Sequence, residues 1–288
     1  MKPAFSTVAC PDWTLARMAG RLEAWGYLGV ELRTFGNGST QFAFDPALTS
    51  PEKIRGAFAG AGVEICSLGT SIRFDAAVTP SVIGRVISDT ERSVREAKGM
   101  IDLAIRLECP FVRVFGFELP EGEPRARGLA RVVDRLAKAA DYCRNSGVKL
   151  MLENGGSFAT AVDLAEIIDR VGSAMLVASY SVPVGAMAGE SVANAANVLG
   201  DRLACVKVKD LRGGKPVALG EGEMGCRASV EALAKAGFGG WVVYEFDRAW
   251  LGVEADADGV LAQSSKQLFA WSGQSAAAVR RGPRVART

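Results

Sequence analysis

Charged residues stand where short apolar runs end. Glu31 lies in Val30-Glu31-Leu32-Arg33, and Arg113 in Phe111-Val112-Arg113-Val114-Phe115. Glu153 and Asn154 close Val148–Asn154, Lys207 and Lys209 alternate through Cys205–Asp210, and Glu245 sits in Val243-Tyr244-Glu245-Phe246. Paired carboxylates can move protons as general acid and base. Cations beside them can stabilise developing negative charge, or bind a carboxylate or phosphate. An isolated buried charge costs several kcal/mol, so charges on apolar runs demand partners, water or a site. The chain contains no histidine. That excludes Ser-His-Asp triads and His-bearing zinc sites and leaves carboxylates, Lys, Arg, Tyr and Cys for chemistry.

The runs that carry these residues recur eight times: Ala4–Ala9, Leu28–Arg33, Val63–Leu68, Pro110–Phe115, Val148–Glu153, Met175–Ser179, Leu203–Val208 and Trp241–Phe246. Their length and β-branched content suit buried parallel strands. Amphipathic stretches alternate with them: Trp13–Ala24, Pro51–Ala59, Pro80–Leu107, Arg125–Asn145, Ala161–Arg170, Ser191–Leu199, Arg227–Ala236 and about Gly259–Trp271. Gly26, Gly62, Gly147, Gly172, Gly200 and Gly237 fall where helices should end in a left-handed residue. Eight β-then-α units predict a single (β/α)8 TIM barrel over residues 1–272. An open dinucleotide-binding sheet would need a Gly-rich loop after an early strand. The first run is followed instead by Cys10-Pro11-Asp12.

The 288 residues are 49% hydrophobic and 23% charged, with a net charge of +2, which speaks against a nucleic-acid binder. Residues 273–288 hold four arginines and no acid and read as a disordered basic tail. The six cysteines form no C-x-x-C pair, no signal peptide opens the chain, and no apolar stretch is long enough for a membrane span. The expected setting is cytoplasmic.

These motifs resemble the xylose isomerase-like TIM-barrel superfamily. That group includes ketose 3-epimerases, inosose dehydratases, hydroxypyruvate isomerases and endonuclease IV relatives. The resemblance rests on Phe5-Ser6-Thr7, Cys10–Trp13, Gly26–Arg33, Leu152-Glu153-Asn154, Val206–Asp210, Leu219–Glu223 and Tyr244-Glu245-Phe246. It implies one divalent metal, Mn, Mg or Zn, held by Glu, Asp, His and Glu on strands five to eight, with the glutamates also moving protons. Carried over, Glu153 and Glu245 match the two glutamates, Ser181 stands at the aspartate and Lys207 at the histidine. Two of four ligands survive, and a lysine between glutamates would repel a cation. The expectation is therefore a site without cofactor, with Lys207 ion-paired to Glu153 and Glu245.

Within that reading Glu153, Glu245 and Lys207 are the candidate catalytic residues. Arg113, Lys209, Ser181, Asn154 and Glu31 are candidates for binding a sugar or polyol derivative. The resemblance implies an isomerase, epimerase or related lyase acting on a small polyhydroxylated carbonyl compound, and a possible homo-oligomer. Two alternatives stay open: an inactive small-molecule-binding relative, and a Schiff-base lyase using Lys207. Two flanking carboxylates would raise the Lys207 pKa and oppose the latter.

Overall fold

The computed structural model describes residues 1–34, 50–77, 91–251 and 256–275. Eight parallel strands close a barrel in the order β1-β10-β7-β6-β5-β4-β3-β2. They are β1 (Lys2–Ser6), β2 (Gly29–Arg33), β3 (Glu64–Arg73), β4 (Phe111–Phe115), β5 (Lys149–Glu153), β6 (Leu176–Ser181), β7 (Leu203–Val208) and β10 (Trp241–Tyr244). Among the described residues two further strands, β8 (Asp210–Arg212) and β9 (Lys215–Val217), form a hairpin outside the barrel. Helices α1 (Leu15–Trp25), α2 (Pro51–Gly60), α3 (Arg92–Leu107), α4 (Arg125–Tyr142), α5 (Ala161–Val171), α6 (Val182–Met187), α7 (Val192–Leu199), α8 (Cys226–Lys235), α9 (Arg248–Leu251) and α10 (Ala257–Ser272) follow in turn.

Local chemistry sets the helix ends. Thr14, Ser50, Thr160, Ser191 and Asp256 each accept a backbone N–H from the first turn of the helix they precede. Thr160 and Asp163 form a reciprocal capping box. Each glycine expected at a helix-to-strand joint has positive φ.

The structure also departs from the expected runs. The first strand ends at Ser6, because Thr7–Ala9 winds into a 3-10 turn in which Cys10 N–H donates to the Thr7 carbonyl. β3 runs on to Arg73, pairing Arg73 with Phe115 after a register shift. The hairpin was not expected, although Gly213 and Gly214, both at positive φ, supply the two-residue turn it needs. The proposed helix start at Pro80 and residues 276–288 of the proposed tail lie outside the described residues. Among the described residues no helix is long and apolar enough to cross a membrane.

Alternation along the strands makes two cores. Val30, Leu32, Val112, Val114, Leu150, Leu152, Val206 and Val208 face the helices and join the large outer core. Ala4, Cys66, Met151, Cys205, Trp241 and Val243 pack together in a small second core inside the barrel. Polar residues lie further along the same strands.

Two glycines separate backbone freedom from space. A Cβ on Gly29 would collide with the Trp241 ring, whereas one on exposed helical Gly20 would meet nothing. Gly29→Ala should therefore destabilise by about 1–3 kcal/mol through overpacking. Gly20→Ala should stabilise by about 0.5–1 kcal/mol. Urea melts of both variants check the opposite signs.

Candidate active site

The six charged side chains singled out in the sequence converge at the C-terminal ends of the strands. Glu31 comes from β2, Arg113 from β4, Glu153 from β5, Lys207 from β7, and Lys209 and Glu245 from just beyond β7 and β10. Lys207 is fully buried, and Arg113, Glu153 and Glu245 are each no more than 6% exposed.

One nitrogen links the two candidate acid/base residues. Arg113 Nη1 donates to Glu245 Oε1 at 3.2 Å and to Glu153 Oε1 at 3.3 Å. The rest of the guanidinium is anchored to the Thr70 carbonyl, with Nη2 at 2.9 Å and Nε at 3.3 Å. Lys207 Nζ donates to Glu31 Oε2 and, at 3.3 Å, to Glu245 Oε1. Ser67 also donates to Glu31 Oε2, at 3.0 Å. Lys209 pairs with Asp247 and lies 3.5 Å from Glu245 Oε2.

Lys207 was expected between Glu153 and Glu245. Its partners are Glu31 and Glu245, and Arg113 bridges the two glutamates. The reason lies in the strand ring: β7 adjoins β10, and Glu31 reaches inward from β2 over Gly69. A Cβ on Gly69 would stand 2.9 Å from the Glu31 carboxyl carbon, so its absence leaves Glu31 room. Arg113 and Lys209, considered as clamps for a substrate anion, are both ion-paired to the protein's own carboxylates.

Asn154 does not point its amide at the cluster. Its Nδ2 donates to the Ala159 and Ser181 carbonyls at 2.9 and 3.3 Å, and its Oδ1 accepts the Ser181 N–H at 2.6 Å. It ties the end of β5 to the end of β6. Ser181 closes β6 in register with Lys207.

Three polar residues around the site were not among the candidates named from the sequence. Ser179, in register with Glu153, donates to Glu153 Oε2 at 3.0 Å. Asp247 follows Glu245 by two residues, a spacing that could have flagged it. Asp210 accepts the Gly220 and Met224 N–H groups at 2.8 and 3.2 Å, holding the Gly220–Glu223 loop in place.

The glutamates are driven in opposite directions. Burial raises the Glu153 carboxyl above its ordinary value, and Arg113 and Lys207 only partly offset it. Burial also opposes ionised Glu245, but Lys207, Lys209 and Arg113 outweigh it and hold that carboxyl far below the usual range. Burial disfavours the Lys207 ammonium, yet Glu31 and Glu245 prevail and keep it charged. Burial pushes the Cys205 thiol up to about 12, which makes it a poor nucleophile.

Mn, Mg or Zn does not fit this donor set. Glu245 Oε1 already accepts from two cationic groups, a lysine stands at one ligand position and a neutral serine at another. Among the described residues no cluster of three His, Cys, Asp or Glu is arranged to hold a metal ion.

Two predictions follow the electrostatics. Lys207→Met leaves buried Glu31 without its cation and takes one of three from Glu245, and should cost about 3–5 kcal/mol in chemical denaturation. Adding Glu31→Gln should recover part of that loss. The second is read in melting temperature against pH. The stability contributed by Glu153 is complete below pH 4.5, its ordinary value, and lost as pH rises through its raised one. Glu245 contributes stability above pH 4.5 that is lost as pH falls toward its depressed value. Relative to wild type, Glu153→Gln should therefore gain with rising pH, and the deficit of Glu245→Gln should shrink in acid.

A family model described as a xylose isomerase-like TIM barrel matches residues 20–270. No curated protein matches the chain by sequence. The solved structure of L-ribulose 3-epimerase superposes with a TM-score of 0.76 at 17% identity, covering 100% of both chains. D-psicose 3-epimerase from Clostridium cellulolyticum H10, with D-tagatose, gives a TM-score of 0.72 at 14% identity over 96% of this chain and 100% of that one. A fusion of a xylose isomerase-like TIM barrel with 4-hydroxyphenylpyruvate dioxygenase gives 0.76 at 16% identity over 94% of this chain, which spans only 42% of the fusion's length. At such identities the likeness to these structures is one of fold, while the family model covers most of the sequence. The chain belongs to the xylose isomerase-like TIM barrel family.

Proposed function

We propose that this protein is an isomerase or epimerase that moves a proton on a small polyhydroxylated carbonyl compound, a sugar or polyol derivative, without a divalent metal. The observation that carries this reading is the Arg113 nitrogen shared by Glu153 and Glu245, two carboxyls pushed toward opposite protonation states. Carboxyls separated in this way take different roles in acid/base catalysis. Ionised Glu245 takes the proton from the carbon next to the carbonyl. The electron pair moves onto the carbonyl oxygen, and Lys207 and Arg113 stabilise the resulting enediolate. Glu153, which keeps its proton more readily, delivers one to the intermediate. The fold shared with two ketose 3-epimerases supports the substrate class.

A second reading is a non-catalytic small-molecule binder. It is favoured by the three cations around Glu245, which make that carboxylate a weak base. Schiff-base chemistry is disfavoured, because Lys207 is held as an ammonium between carboxylates.

Incubation with a panel of ketoses in D2O, followed by NMR, separates these readings. The isomerase reading expects deuterium at the carbon beside the carbonyl, with Glu153→Gln and Glu245→Gln each slowing exchange by about 10²–10⁴. Saturable ligand binding with no exchange would establish the binder instead.

A further inference from the structure

Deepening that reading, and resting on it only for the identity of the site, we infer that Arg113 and Lys207 are a built-in replacement for the family's metal ion, with Glu31 as the latch that makes it permanent. A bound metal would have to use the Glu153 and Glu245 carboxylates. Arg113 Nη1 already bridges one oxygen of each, the position a shared cation takes. Lys207 Nζ reaches the same Glu245 oxygen from the other side, at 3.3 Å. That oxygen sits between two cationic donors, so a metal must displace at least one of them to coordinate it, and the other Glu245 oxygen faces Lys209 at 3.5 Å.

Neither donor is free to leave. Arg113 is pinned through two other nitrogens to the Thr70 carbonyl. Lys207 is held by Glu31 Oε2, which Ser67 orients and for which Gly69 leaves space. Glu31 lies on β2, far around the ring from β5 and β6, so it draws the ammonium away from the other two ligand positions. Positive charge is already built in as well: Arg113, Lys207 and Lys209 are ion-paired among Glu31, Glu153, Glu245 and Asp247. A divalent ion entering there meets three fixed cations around the carboxylates it would have to use. The fourth position, Ser181, offers a neutral hydroxyl in register with Lys207, and so no compensating charge.

The test is uptake of Mn2+ by the full chain after chelator treatment, read by calorimetry and by the electron paramagnetic resonance signal of free Mn2+. Wild type should leave the free-ion signal unchanged at millimolar Mn2+. The triple variant Glu31→Gln/Ser181→Asp/Lys207→His removes the latch and the ammonium and restores two donors. It should bind one Mn2+ at least a hundredfold more tightly than wild type. One-to-one binding by wild type that disappears in Glu245→Gln would overturn the inference. A triple variant that melts cooperatively yet takes no Mn2+ would overturn it too. If the triple variant does not fold, the wild-type titration decides alone, binding against and silence in favour. Deuterium exchange by wild type in chelator reports on the proposed activity separately. Its absence alongside refusal of Mn2+ removes the activity and leaves the cation replacement standing.

Discussion

The ionised carboxylate of Glu245 binds three cations at once, and the top of the barrel is arranged around that cluster. Lys207 and Arg113 meet one of its oxygens and Lys209 approaches the other. Burying these cations without such partners would cost several kcal/mol per ion. Glu31, Glu153 and Asp247 then settle how the positive charge is shared. The cluster is therefore a single electrostatic object, and changing one member alters the protonation of the others.

The barrel makes this object possible because parallel strands present side chains at fixed register. Glu153 and Ser179 are paired across β5 and β6, and Ser181 and Lys207 across β6 and β7. The apolar floor of Ala4, Cys66, Met151, Cys205, Trp241 and Val243 closes the interior beneath them. Charges placed above that floor lose water on one side, and Glu31, Arg113, Glu153 and Lys207 are held by strand backbones, with Glu245 one residue past the end of β10. This restricts their movement and keeps opposing pKa directions apart on two chemically identical carboxyls.

Much of the fold was legible in the residues. Eight apolar runs, eight amphipathic stretches and glycines at the joints give the (β/α)8 order directly, because burial on both faces of a parallel strand leaves a continuous apolar signature. The charged residues interrupting those runs marked the site, since ionised groups in such places require partners. Ser179 and Asn154 were harder to interpret. A serine or an asparagine at a strand end looks the same whether it orients a carboxylate, as Ser179 does, or braces backbone, as Asn154 does.

The linear order of residues thus determined the barrel, the family and most of the charges at its mouth, Asp247 excepted, because periodicity and residue type are local properties of the chain. Which cation meets which carboxylate was decided only by the closed ring. Lys207 and Glu31 are 176 residues apart in sequence, yet they meet across the barrel interior. Arg113, placed on the opposite wall, takes the bridging position between Glu153 and Glu245 that the sequence assigned to Lys207. Distances across a barrel depend on strand order, register and the space that Gly69 leaves, and none of these is encoded at the position of the residue that uses them.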